Sequence, residues 1–243
     1  MNLIIDIGNT LVKFAVFQQD ELVFQTSGED NLFKNKFENI LKKYPKIEKC
    51  IISSVGKMDE QALDFVKKRL KILVLNSETK LSFKNLYGTP KTLGVDRLAL
   101  VSAASREFPN KNCLVIDLGS CITYDFINKE NCYLGGAISP GLRMRYKSLN
   151  NFTAKLPLLE TKLPENVIGD STESAIHSGV VFGILNEIDG FIDNYKQKFS
   201  DLTVILTGGD AYFLSKQLKN SIFANSNFLL IGLNHILQFN STE

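Results

Sequence analysis

Two stretches of the chain, 111 residues apart, carry the same pattern. Leu3 to Ile5 is a short apolar run ending at Asp6-Ile7-Gly8-Asn9-Thr10, after which Val12 to Phe17 alternates apolar and polar residues before the turn-like Gln18-Gln19-Asp20-Glu21. Cys113 to Ile116 is again a short apolar run; it ends at Asp117-Leu118-Gly119-Ser120-Cys121 and leads into Ile122 to Ile127 and the turn Asn128-Lys129-Glu130-Asn131. Each copy reads as a strand, a tight turn and a returning strand. One offset aligns Asp117 with Asp6, Gly119 with Gly8 and Ile116 with Ile5, so the chain is expected to be two similar halves, 1–109 and 110–243.

Between and after the copies, strands and helices alternate. A helix is expected around Asn31 to Lys43, a strand over Cys50 to Val55, a helix over Asp59 to Leu70 and a strand over Ile72 to Leu75. Helical spacing returns in Val95 to Glu107. A strand is then expected over Tyr133 to Ile138, a helix after Pro140-Gly141, a long helix from about Ser171 to Lys198, and a strand over Thr203 to Leu206 that ends at Thr207-Gly208-Gly209-Asp210. This order predicts an α/β fold.

Composition excludes several function classes. With 28 basic against 26 acidic residues among 243, the net charge is only +2, too little for the basic stripe that nucleic-acid binding requires. The four cysteines have no C-x-x-C spacing and the two histidines lie far apart, which argues against a zinc site or a disulfide framework. Asp6 interrupts any signal-like apolar start, and no apolar run approaches ~18 residues, so no membrane span is expected and the cytoplasm is the expected location. The Lys-rich stretches read as solvated helix faces.

A single strand-end Asp followed by Gly is open to a plain reading as a capped turn. Two copies are harder to dismiss, because such turns aim backbone N–H groups at phosphate while the carboxylate holds a cation or its water. The glycine turn at Thr207 to Gly209 would let a base or ribose approach the backbone. G-x-x-x-x-G-K-[ST], G-x-G-x-x-G and G-x-S-x-G are all absent, which removes P-loop, Rossmann and serine-hydrolase readings. His177 reads as a packing or surface residue.

Taken in order, Asp6-Ile7-Gly8-Asn9-Thr10 with Lys13, Tyr87 and Pro90 upstream of Gly94-Val95-Asp96-Arg97, Asp117-Leu118-Gly119-Ser120, Gly135-Gly136-Ala137-Ile138-Ser139-Pro140-Gly141 and Thr153-Ala154-Lys155-Leu156-Pro157 resemble type III pantothenate kinase. The resemblance implies duplicated ribonuclease H-like (actin-like ATPase) domains with mixed β-sheets flanked by helices. It implies transfer of the ATP γ-phosphate to pantothenate, giving 4′-phosphopantothenate, the first step of coenzyme A biosynthesis. Asp96 would be the catalytic proton acceptor. Asp6, Ile7, Gly8, Asn9, Thr10, Leu11, Val12, Lys13 and Ser120 would bind ATP, with Asp6 facing Mg²⁺. Tyr87, Gly94, Val95, Asp96, Arg97 and Thr172 would bind pantothenate, and Asp117 a monovalent cation, K⁺ or NH₄⁺.

Two departures stand out: the family usually reads D-x-G-T-A where this chain has Ser120 and Cys121, and Thr89 precedes Pro90 where Asn is common. A homodimer is the expected working unit, from the resemblance and from the wide apolar arc of Ile176, Val180, Val181, Ile184, Leu185 and Ile188 on the long helix. The alternative is a nucleotide-dependent regulatory or accessory protein of the same fold, which would keep the phosphate loops and dispense with Asp96 and Tyr87.

Overall fold

The structure is a computed structural model that describes residues 1–8, 11–29, 33–54, 56 and 60–241. In chain order its elements are β1 (Asn2–Ile7), β2 (Val12–Gln18), β3 (Glu21–Gly28), α1 (Phe33–Lys43), β4 (Lys49–Ser54), α2 (Glu60–Lys67), β5 (Lys71–Val74), β6 (Lys84–Asn85), α3 (Val95–Glu107), β7 (Asn112–Leu118), β8 (Cys121–Ile127), β9 (Cys132–Pro140), α4 (Leu142–Asn151), α5 (Thr172–Lys198), β10 (Leu202–Thr207), α6 (Ala211–Ser215), β11 (Phe223–Ala224) and α7 (Phe228–Phe239). Asn31, Val55 and Asp59, at the ends of three expected elements, lie outside the described residues.

The chain forms two compact units. Met1–Pro109, Asn131–Tyr133 and Asn227–Glu243 make the first, and Asn110–Glu130 with Leu134–Ser226 make the second. The expected second half of 110–243 differs from this grouping at its end, where α7 belongs to the first unit.

The first unit is built on a sheet of order β3-β2-β1-β4-β5. β1 pairs antiparallel with β2 and parallel with β4, so it is central and apolar on both faces. Alternation of side chains then creates two cores. Leu3, Ile5, Phe14, Val16, Cys50 and Ile52 face α1 and α2, where Phe33, Phe37 and Ile40 form a buried stripe at i, i+4, i+7. Ile4, Ala15, Phe17 and Ile51 face the other way, onto Ala99 of α3 and Leu230, Leu233, Ile236 and Leu237 of α7.

That second face explains where α7 goes. A helix reading Phe-Leu-Leu-Ile-Gly-Leu-Asn-His-Ile-Leu-Gln-Phe is apolar nearly all round and must bury several sides. Its buried Asn234 donates to the Gln19 carbonyl at 2.9 Å and accepts from Asn2 at 2.9 Å, which fixes the helix on the strand ends. Cys132 and Tyr133 group with this unit and pair in parallel with β6.

The second unit repeats the plan. β7 lies between antiparallel β8 and parallel β10, in the order β9-β8-β7-β10-β11. Leu114, Ile116 and Leu118 pack with Tyr124 and Phe126 on α4 and α5. Ile176, Val180, Val181, Ile184, Leu185 and Ile188 of α5 are all buried in this core. The wide apolar arc is therefore explained within one chain, and it does not imply a partner. By length and composition α5 could cross a membrane, contrary to the expected absence of such a run, yet 56% of that stretch is buried inside the protein, as in a core helix.

A Cβ built on Gly232 would fall within van der Waals distance of the Ala99 carbonyl of α3. Gly to Ala in a helix ordinarily stabilises by up to ~1 kcal/mol. Gly232→Ala should instead destabilise by about 1–3 kcal/mol through overpacking, read as a lower melting temperature. A melting temperature equal to or above wild type would contradict the close α3–α7 crossing.

Candidate active site

β1 delivers Asp6 at its carboxyl end, between Lys13 of β2 and Ser53 of β4, which are its register partners on either side. The carboxylate is nearly inaccessible, whereas Lys13 is half exposed with its Nζ 3.9 Å from Asp6 Oδ2. Burial pushes the Asp6 carboxyl above the usual carboxylate range; the Lys13 ammonium and the Ser53 hydroxyl pull it back, and the nearby negative charge of Asp96 pushes it up again. Two carboxylates from distant parts of the sequence thus lie within each other's field. Ser53, wholly buried, was missed by sequence reasoning, because its place beside Asp6 follows from parallel pairing and leaves no local motif.

The β1–β2 turn is tight: the Gly8 N–H donates to the Leu11 carbonyl at 3.1 Å, and a Cβ on Gly8 would sit 3.3 Å from that oxygen. Ile7 and Val12 pack into the core, while Leu11 is exposed. Asn9 and Thr10 lie outside the described residues.

Asp96 stands in the first turn of α3. Its Oδ1 accepts from the Arg97 backbone N–H at 2.8 Å, so the carboxylate folds back over the helix start. A Cβ at 94 would crowd Asp96 Oδ1, so a larger residue there would require this carboxylate to shift. Gly94 thus leaves room for the carboxylate in this position. Val95 packs into the core beneath it.

Arg97 is 5% exposed and lies over the Tyr87 ring, its guanidinium carbon 5.5 Å from the ring centroid. Tyr87 stacks in turn on Tyr133 at 6.0 Å and 16°, and its N–H donates to Asn85 Oδ1 at 3.0 Å. Tyr87, Gly94, Val95, Asp96 and Arg97 therefore share one wall of the first unit.

In the second unit Asp117 has Thr123 of β8 and Thr207 of β10 as its register partners. The Gly119 N–H donates to the Cys121 carbonyl at 3.1 Å, and Ser120 at the tip is exposed. The glycine turn after β10 folds over this strand end: Gly208 has φ 96°, where only glycine is unstrained, and a Cβ on it would overlap Asp117 Oδ1. Asp210 follows, its N–H on the Leu118 carbonyl at 3.1 Å and its carboxylate on Arg143 at 3.1 Å.

Thr172 is exposed at the start of α5, on a cavity of about 670 Å³ lined also by Leu149, Leu156, Ile176 and Val180. The helix cap is Ser171, whose hydroxyl accepts from the Ser174 N–H, so Thr172 has no capping role. His177 is a packing residue, buried with Nδ1 2.8 Å from the Tyr146 hydroxyl. Among the described residues no three His, Cys, Asp or Glu side chains converge as a metal-binding cluster.

Because burial and Asp96 raise the Asp6 pKa, the native state loses stability as pH rises through that pKa, and the loss is absent below the ordinary value near ~3.9. In metal- and nucleotide-free protein, Asp6→Asn should raise the melting temperature at pH 8, by roughly 2–4 °C per kcal/mol relieved. The gain should shrink as pH is lowered toward 4. A variant that melts lower at pH 8 would contradict the strained carboxylate.

A model of the type III pantothenate kinase family matches residues 2–194. The chain is 54% identical over 243 residues to the "Type III pantothenate kinase" of Christiangramia forsetii, covering 100% of both. Two solved structures share its fold at low identity. One, described as a Baf family transcriptional activator from Campylobacter jejuni, is 22% identical with TM-score 0.64, over 99% of this chain and 100% of that one. The other, described as an N-acetylmannosamine kinase from Listeria monocytogenes, is 12% identical with TM-score 0.55, over 99% of each. The fold is that of the duplicated actin-like ATPases and sugar kinases, and Asp96 in the first turn of α3, the strand-end Asp6 and the repeat at Asp117 are set in a chain that belongs to the type III pantothenate kinase family.

Proposed function

We propose that the chain phosphorylates pantothenate from ATP with Asp96 as the residue that handles the acceptor hydroxyl. The observation that carries this reading is the Asp96 carboxylate, held by the Arg97 N–H and within the field of Asp6. Phosphoryl transfer asks a protein mainly for positioning and charge neutralisation. Aspartates are weak bases at neutral pH, so Asp96 orients the primary hydroxyl of pantothenate and takes its proton late, as the oxygen commits to phosphorus.

Asp6, Lys13 and the turn from Ile7 to Val12 hold the ATP phosphates, and Ser120 supplies a second phosphate contact. A buried carboxylate whose pKa is raised fits a divalent cation, which returns it to the charged form. Asp6 would hold Mg²⁺, which would supply charge neutralisation on the transferring group. Tyr87 and the Gly94 to Arg97 turn line the pantothenate pocket and Arg97 offers a buried cation to substrate polar groups; Thr172 is proposed as a pantothenate contact on the family resemblance alone. At Asp117 the proposed ligand is K⁺ or NH₄⁺, supported by the hydroxyl-bearing Thr123 and Thr207 at its register positions where Asp6 has Lys13 and Ser53. The homodimer is proposed on the family resemblance alone. A cytoplasmic location follows from the need for ATP.

Asp96→Asn should lower kcat by roughly 10² or more with ATP affinity near wild type. Unchanged turnover would remove Asp96 from the mechanism. With Mg²⁺ present, activity should rise with K⁺ and fall in Na⁺ or Li⁺, and Asp117→Ala should abolish that dependence; indifference to the monovalent ion would count against the role of Asp117. Light scattering should give twice the chain mass at micromolar protein, and a fully active monomer would exclude the dimer.

A further inference from the structure

Glu187, in the middle of α5, collects three donors from three other elements. The Tyr124 hydroxyl of β8 and the Ser139 hydroxyl of β9 donate to its Oε1 at 2.9 and 2.5 Å, and Arg145 Nη2 of α4 donates to its Oε2 at 2.6 Å. Burial pushes the Glu187 carboxyl up, but the hydrogen bonds from Arg145, Ser139 and Tyr124 and the Arg145 charge outweigh burial and hold it below its ordinary value. It is a charged, fixed anchor.

The anchor continues toward the second phosphate loop through direct contacts. Arg145 Nε donates to the Pro140 carbonyl at 2.9 Å, so one guanidinium joins Glu187 to the β9–α4 turn. The next residue, Gly141, donates its N–H to the Ser120 carbonyl at 3.1 Å, and a Cβ on Gly141 would overlap the carbonyls of both Gly119 and Ser120. The turn is pressed onto the loop with no space between. Every contact in this path lies within the second unit.

We propose that Glu187 is a positioning residue for ATP, acting through Arg145 and the Pro140-Gly141 turn to set the backbone of the Gly119-Ser120 loop. The inference rests on the reading of Ser120 as a phosphate contact. A carboxylate serving only to hold helix to sheet would affect stability and leave nucleotide affinity alone. A spatial path is not itself coupling, so the test is a double-mutant cycle in the full-length enzyme.

Glu187→Gln, Ser120→Ala and the double variant are compared for kcat, for KM of ATP and of pantothenate, and for melting temperature. Glu187→Gln should raise KM for ATP about tenfold, as loss of outer support for a ligand group commonly does, with KM for pantothenate within about twofold. Adding Ser120→Ala should then change KM for ATP by less than about twofold, because the misplaced loop has already lost that contact. If Glu187→Gln folds poorly, Ser139→Ala removes one donor while leaving the Arg145 pair, and should show the same signature at smaller size. A lower melting temperature with unchanged KM for ATP, or effects that multiply in the double variant, would overturn the inference and leave Ser120 standing. An unchanged KM for ATP in Ser120→Ala alone would sink the reading of Ser120 and the inference with it.

Discussion

One carboxylate, buried at the end of a central strand, is the constraint that orders the rest of the first unit. Asp6 sits where β1 stops, deep enough that burial disfavours its charge and near enough to Asp96 that the two repel. Such a group costs stability unless something positive is close. Lys13 and Ser53 provide part of the compensation from the neighbouring strands, and their positions are set by strand register. Everything that keeps β1 central therefore also keeps the carboxylate in place: the two-sided apolar core, α3 with Asp96 in its first turn, and the largely apolar α7 that closes the second face. The remaining imbalance favours a cationic or cation-bearing ligand at this strand end.

The second unit uses the same strand plan with different side chains. Asp117 occupies the position of Asp6, but Thr123 stands across from it where Lys13 stands across from Asp6, and Thr207 takes the place of Ser53. The duplication fixed two strand-end carboxylates, and substitution on the flanking strands made their surroundings unlike. The second copy also gained a cover. Gly208, in a conformation that only glycine adopts without strain, lets the β10–α6 turn close over Asp117, and Gly141 lets the β9–α4 turn close onto Ser120.

Much of this was legible in the sequence, for local reasons. Strand-turn-strand units with a terminal Asp and Gly are specified within a dozen residues, so the repeat, the strand ends and the start of α3 at Val95 could be read directly. What could not be read depends on which strand lies beside which. Ser53 becomes part of the site only through parallel pairing of β4 with β1, and Glu187 reaches its three donors only once α5 lies across β8, β9 and α4. The apolar arc of α5 illustrates the opposite error. Its width suggested a second chain, yet a helix packed into a core from several directions needs no partner to explain it. The sequence of α7 had the same all-round apolar character and offered no periodicity from which to assign the face it buries.

The central claim is that Asp6 is held above its ordinary pKa by burial and by Asp96, awaiting positive charge. Titration of the Asp6 side-chain carboxyl carbon by NMR in ligand-free enzyme tests it directly. The account predicts a pKa above the usual aspartate range, a shift downward when Asp96 is replaced by Asn, and a further shift downward with Mg²⁺ and nucleotide bound. An ordinary or depressed value in the ligand-free enzyme, unmoved by loss of the Asp96 charge, would contradict it.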